Sequence, residues 1–209
     1  MKLRRMLAVI FSAVVLFTFC SPVNAASNID GIDYGDLERR VISKAEVPEG
    51  VVPRVINSEE ELQNYLNRLQ EEKRQMDAEY RAAILAAAKR EGVGEESLHI
   101  TRASVQSTSK YKDFKQCGGL HYVRVRADFT YVTDANKVKR VKSVKSVTSS
   151  NHGMTADSKW TQNSASTKKL DDSRTLAVTV RGKMAHYLLV KGIIEVYSEE
   201  LSLYAEFRP

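Results

Sequence analysis

Apolar and polar residues change rhythm along this chain, and each rhythm predicts an element. Leu62, Leu66, Leu69, Met76, Tyr80, Ala83 and Ala87 advance by alternating steps of four and three, with Lys73 as the charged step between Leu69 and Met76. This is the heptad seam of a helix. Ser58 and Glu61 have the spacing of a capping box. Glu59, Glu60 and Glu61 lie at the positive end of the helix dipole, and Lys89 and Arg90 at its negative end. Gly92 supplies a left-handed stop, so the predicted helix covers 58–92. At 1.5 Å per residue it would be roughly 50 Å long, against about 34 Å for a compact domain of roughly 110 residues. Its seam is therefore expected to bury against its own sheet or, by self-association as a coiled coil, against a second copy.

From residue 97 onward the period falls to two. Val123, Val125, Ala127, Phe129 and Tyr131 take one face and Arg124, Arg126 and Asp128 the other, the mark of an antiparallel sheet with one wet face. Leu176, Val178 and Val180 repeat the pattern, as do Leu201, Leu203, Ala205 and Phe207. Trp160–Ser166, Leu98–Val105, Val138–Thr148 and Met184–Val196 add further runs. About seven or eight strands at this spacing predict an antiparallel β-sandwich over 97–209, and with the preceding helix the class is α+β, a long N-terminal helix followed by the sandwich. Two places break the pattern. Val138, Val141, Val144 and Val147 recur every third residue and cannot share a face without a bulge; the interleaved lysines suit an edge strand. Gly182 interrupts a strong run and predicts a bulge or bend.

Before the helix, residues 26–57 carry Gly31, Gly35, Pro48, Gly50 and Pro53. They read as a mobile segment with a short helix from Asp36 to about Ala45, a turn at Pro48–Gly50 and a short strand from Val51 to Ile56. Asp30, Asp33 and Asp36 lack the ligand spacing of a calcium loop, so turn chemistry accounts for them. Residues 1–25 have the three zones of a cleavable secretory signal: Lys2, Arg4 and Arg5, then the apolar run Met6–Phe19, then Val23-Asn24-Ala25. The apolar run is shorter than the roughly 20 residues of a membrane span. A lipid on Cys20 would follow a bulky Phe19, which disfavours it. Export with cleavage near Ala25-Ala26 is the expectation, with Cys117 left as a lone thiol, either buried or paired with another chain.

The segments Lys159-Trp160, Ser173-Arg174-Thr175-Leu176-Ala177-Val178-Thr179-Val180 with Gly182-Lys183, and Leu203-Tyr204-Ala205-Glu206-Phe207 resemble the ends of small secreted β-rich proteins of Gram-positive bacteria. The resemblance covers about the last third of the chain. It implies a shared secreted β fold and brings no active site with it.

Charge changes the picture more than any motif does. Residues 26–97 carry 10 basic and 16 acidic side chains, whereas residues 98–209 carry 19 and 10. The basic groups gather at Lys137, Lys139, Arg140, Lys142 and Lys145, with Lys168 and Lys169 in another segment and Arg124 and Arg126 on a wet strand face. Such a surface predicts a polyanionic partner, and for an exported protein the nearest are anionic cell-wall polymers and anionic lipid. Nucleic acid is the weaker candidate, because basic–aromatic clusters such as Lys110-Tyr111-Lys112 are short and isolated. His99, His121, His152 and His186 form no zinc-protease pair. Cys117 and His121 lie too close in sequence for an ordinary thiol-protease arrangement, and no carboxylate pair, phosphate loop or nucleophile elbow stands out. The expectation is thus a non-catalytic secreted or surface-associated binding protein with no catalytic residue, metal or cofactor. A membrane-acting effector or antibacterial toxin is the alternative, and a cell-wall hydrolase the third reading.

Overall fold

The computed structural model describes residues 34–90, 104–116, 119 and 121–209. The predicted signal segment, Gly92, Leu98–Ile100 and Cys117 lie outside the described residues. The class is α+β. In order come β1 (Glu38–Ile42), one 3-10 turn (Lys44–Glu46), β2 (Arg54–Ile56), α1 (Glu59–Ala88), β3 (Val105–Gln116), β4 (His121–Thr133), β5 (Lys139–Gly153), β6 (Ser158–Leu170), β7 (Thr175–Val190) and β8 (Ile193–Phe207). The helix is therefore not the first element, since two strands precede it. The short helix expected from Asp36 to Ala45 is instead mostly β1, which pairs antiparallel with Ile194–Ser198 of β8. Arg39 of β1 reaches the buried Glu195 with Nη2 at 2.6 Å from Oε1, and Tyr197 donates its hydroxyl hydrogen to the same carboxylate. This cross-strand ion pair outweighs the weak local helix preference of the segment. Of the segment before the helix, Glu38–Ile42 and Arg54–Ile56 are thus built into a sheet, the latter within the strand expected from Val51 to Ile56.

The five-stranded sheet has the order β1-β8-β7-β2, and β6 also pairs with β7. Leu176–Val190 and Ile193–Phe207 pair without a register break. Because the ladder never slips, even-numbered residues of β7 share one face throughout. Leu176, Val178, Val180 and Met184 on that face pack with Leu201, Leu203, Ala205 and Phe207 of β8 and with Val123, Val125, Ala127, Phe129 and Val141 of the three-stranded sheet β3-β4-β5. The core lies between the two sheets.

Both irregularities marked in the sequence resolve as bulges. In β5, Val141, Val144 and Val147 pair with Tyr131, Phe129 and Ala127, while Lys142 and Lys145 are the unpaired extra residues. Each extra residue reverses the facing of the strand beyond it, so a three-residue repeat stays on one face. At Gly182 the strand itself runs straight, and β7 continues as one strand from Thr175 to Val190. The bulge is on β6, between Gln162 and Ser164. The Trp160 ring lies directly over Gly182, where an added Cβ would stand 2.5 Å from the Thr161 carbonyl oxygen and collide with the indole.

α1 begins as its sequence dictates. Ser58 Oγ accepts from Glu61 N at 3.1 Å, and Glu61 Oε2 accepts from Asn57 N, one residue earlier than a capping box requires. The seam is filled by the chain's own sheet. Leu62, Leu66 and Leu69 pack with Ile56, Leu188, Val190 and Tyr197. Met76 touches the main core. Tyr80, Ala83 and Ala87 meet Leu170, Ala177 and Tyr204. Lys73 is accommodated by Asp77 one turn on, at 2.8 Å. Leu188 and Ala177 are on opposite faces of β7, so the helix passes from one face to the other beside β8. From Glu199 to Phe207 that side of β8 has no strand partner among the described residues. The helix covers this edge, and Lys112 of β3 donates to the Tyr204 carbonyl there at 3.3 Å.

Two substitutions test this packing. Leu66→Ala, at a fully buried seam position, is expected to cost about 2–5 kcal/mol, and Gly182→Ala about 1–3 kcal/mol by overpacking against Trp160. Both are read as a lower urea midpoint at an unchanged denaturant slope.

Candidate functional site: a basic end of the sheets

Two hairpin turns meet at one end of the molecule. The β4–β5 turn is organised by Asp134, whose Oδ1 accepts from Asn136 N and Val138 N, each at 2.9 Å. These backbone bonds, followed by Arg140, hold its carboxyl below the usual range. The β6–β7 turn places Asp171, Asp172 and Ser173 consecutively at φ of 53°, 56° and 63°. Left-handed backbone is costly for residues with a Cβ, and a run of three is strained. Arg140 and Arg90 hold the strained turn. Arg140 donates to the Asp172 carbonyl at 2.7 Å, pairs with the Asp172 carboxylate, and pairs with Asp134 at 3.1 Å, tying both turns together. Arg90, just past the helix, donates to Asp171 Oδ1 at 3.0 Å and Oδ2 at 3.1 Å and to Glu206 Oε2 at 3.0 Å. Hydrogen bonding to Glu206 raises the Arg90 pKa, and the Thr175 hydroxyl, then Arg90, lowers that of Asp171.

A crevice of about 490 Å³ opens between these turns, lined by Arg90, Lys139, Asp171, Arg174 and Arg208. Lys137 stands on the β4–β5 turn beside it, itself left-handed at φ 63°. At the opposite end of β7 lies an apolar hollow of about 850 Å³, lined by residues such as Val52, Val55 and Ile193.

The predicted basic residues separate into two groups. Arg124 pairs with Asp113 through Nε at 2.7 Å and Nη2 at 2.9 Å. Arg126 pairs with Asp128 at 3.0 Å, and Arg140 is held as described. These three arginines hold internal carboxylates and are not free cations. Lys137, Lys139, Lys142 and Lys145 are exposed and have no carboxylate partner among the described residues. Lys139 sits 5.2 Å from the Tyr131 ring centroid, and Lys145 donates to Ser107 Oγ at 2.9 Å. Lys169 donates to the Lys142 carbonyl at 2.8 Å, bringing β6 to the bulged strand. Lys168 is exposed on the same strand. Sequence reasoning missed Arg174, Arg208 and Arg90, which reach the crevice only through the fold. The Asp-Asp-Ser between two strand runs was the available sign of a special turn.

A second polar cluster is buried. His121, His186 and Glu199 are at most 3% exposed. Tyr65 Oη and His186 Nδ1 are 3.2 Å apart, His186 Nε2 is 3.7 Å from Glu199 Oε1, and the two imidazole centroids are 6.3 Å apart. Burial, followed by His186, pushes the His121 pKa down to about 4, against an opposing pull from Asp157. Tyr65 is the residue of α1 that meets this buried cluster. Among the described residues no three His, Cys, Asp or Glu side chains gather as metal ligands, and no helix is long and apolar enough to cross a membrane.

Arg140→Gln should destabilise the protein by about 2–3 kcal/mol, because it leaves two carboxylates and a strained turn without their donor; single Lys→Gln changes at 137, 142 or 145 should stay within about 0.5 kcal/mol. A second expectation concerns pH. His121 binds its proton more weakly folded than unfolded, so between pH 6.5 and about 4 the unfolded chain holds more protons and stability falls as pH falls. His121→Phe should flatten the urea midpoint across that window relative to the unsubstituted protein.

No family model, no curated protein and no solved structure matches this chain.

Proposed function

We propose that the protein is a non-catalytic, exported binding protein of β-sandwich type, held on a polyanionic surface through the lysines of β5 and its flanking turn. The surface class is anionic lipid or cell-wall polymer. The observation that carries the reading is the division of labour among the cations. Arg39, Arg54, Arg90, Arg124, Arg126 and Arg140 take eight carboxylates into ion pairs, so Lys137, Lys139, Lys142 and Lys145 supply net positive charge. Each basic group close to an anionic membrane contributes about 1 kcal/mol, fading within a Debye length of about 8 Å at physiological salt. Several acting together hold a protein without a shaped pocket. The competing account is that Lys142 and Lys145, at the bulges, only keep the strand from pairing with other chains.

The test is retention on phosphatidylglycerol vesicles as salt is raised, with Lys137, Lys139, Lys142 and Lys145 together changed to Gln. Polyanion binding predicts steep loss with salt and at least tenfold weaker retention of the variant, with thermal stability kept. Equal retention of both proteins rejects the reading, and aggregation of the variant without loss of retention selects the edge-protection account.

A further inference from the structure

The end of the five-stranded sheet remote from the lysine surface carries an aliphatic row. Ile42, Ile194, Leu189 and Val55 stand side by side in register on β1, β8, β7 and β2. Parity puts them on the face opposite Leu188 and Val190, and so opposite the leucines of α1. β1 and β2 run parallel, and both end level with the β7–β8 hairpin. The connection from Ser43 to Pro53 must therefore turn back across the sheet to reach β2, and it does so over the face that α1 leaves open. The hollow of about 850 Å³ lies between this connection and the row.

The connection is a built wall. Pro48 and Pro53 each fix a backbone angle. Val51 N donates to the Pro48 carbonyl at 3.1 Å, and Val52 N to the Ala156 carbonyl at 2.6 Å. At the β1 end, Glu46 Oε2 accepts from Ser43 N at 2.8 Å and from the Ser43 hydroxyl at 2.9 Å. Val52, Val55 and Ile193 stay 65%, 56% and 44% exposed. Both long segments outside the described residues leave the fold elsewhere. The stretch before Tyr34 joins on the α1 face, where Tyr34 stacks on Tyr197 with centroids 5.9 Å apart. The stretch after Arg90 departs beside Asp171, at the other end of β7.

The lining decides the class of occupant. Val47, Val51 and Val52 of the connection and Leu189 and Ile193 of the hairpin are all aliphatic, and no aromatic ring joins them. Such walls reward burial of hydrocarbon and offer a planar or polyhydroxylated molecule neither stacking nor hydrogen bonds. The Ser43 hydroxyl is already engaged by Glu46. The volume falls within the roughly 300–1,000 Å³ of small-ligand sites. One charged side chain lines the hollow. Lys44 is exposed and has no carboxylate partner among the described residues. The charges around it are taken or lie apart: Glu46 pairs with Arg40 at 2.9 Å, Lys191 at the hairpin tip pairs with Glu59 at 2.6 Å, and Glu49 lies outside the lining. The stem of a lysine can lie along hydrocarbon while its ammonium meets a head group at the water's edge. A single ammonium matches a head of one negative charge, such as a carboxylate.

We propose that the hollow binds a fatty acid, its chain against the Ile42–Ile194–Leu189–Val55 row and its carboxylate at Lys44, independently of the lysine surface at the other end of β7.

The probe is cis-parinaric acid, which fluoresces on entering an apolar site, titrated below its micelle-forming concentration into the chain from Ala26 to Pro209. Laurate and dodecanol then compete with it. The expected result is one saturable site per chain, from which laurate displaces the probe at least tenfold better than dodecanol. Lys44→Gln should abolish that preference. Val55→Trp, which fills the hollow from an exposed position, should weaken the probe at least tenfold at an unchanged urea midpoint, and Val52→Glu should do the same from the lip. The four-lysine variant should bind as the unsubstituted protein does. Absence of a saturable rise overturns the proposal. So does equal displacement by laurate and dodecanol, or full binding by a folded Val55→Trp or Val52→Glu protein. A dimer in light scattering that Val52→Glu dissociates, with no probe bound, also overturns it and makes a second copy the occupant. Vesicle retention is read separately, so failure here leaves the lysine surface untouched.

Discussion

An uninterrupted β7–β8 ladder is the constraint from which the rest of the molecule takes its geometry. With no slip from Leu176↔Phe207 to Val190↔Ile193, residue parity alone fixes which side chains enter the core. Every other element adapts to that fixed plane. β6 must bulge where Trp160 passes over Gly182. β5 must bulge twice to keep its valines inward. The helix must pass from one face to the other, because the edge of β8 away from β7 has no strand partner beyond Ser198 among the described residues.

That adaptation explains which parts were legible in the sequence. The alternation in β4, β7 and β8 and the seam of α1 are local patterns, and they predict the right faces. The valine repeat in β5 is also local, and it announces a bulge once a single face is demanded. β1 was not legible, because Arg39 gains its partner from Glu195, 156 residues away. Gly182 misled in one respect: the irregularity it signals is on the opposing strand, and sequence has no way to say which of two paired strands takes up the extra residue. Likewise Arg140 looked like part of a cationic stretch, and only the meeting of two turns makes it a clamp.

The chemistry of the two cationic side chains accounts for their separation. A planar guanidinium can serve two carboxylates or a carboxylate and a carbonyl at once, as Arg90 and Arg140 do. A lysine is a hydrated point charge on a flexible stem and gains less from such a position. Along β4 and β5 the two side chains thus do different work: Arg124, Arg126 and Arg140 cross-link within the fold, while Lys142 and Lys145 carry charge outside it. A count of basic residues treats them alike and includes cations already held by carboxylates, Lys183 and Lys191 among them.

The two bulges of β5 make their lysines expendable to the ladder. Lys142 and Lys145 have no partner on β4, so loss of either would bring Val141 next to Ser143, or Val144 next to Ser146, with every remaining pair kept. Loss of both would leave Val141, Ser143, Val144, Ser146 and Val147 in strict alternation against β4. Beyond Val147, where pairing is regular as far as Gly153, loss of one residue would instead turn the strand over on one side of the gap.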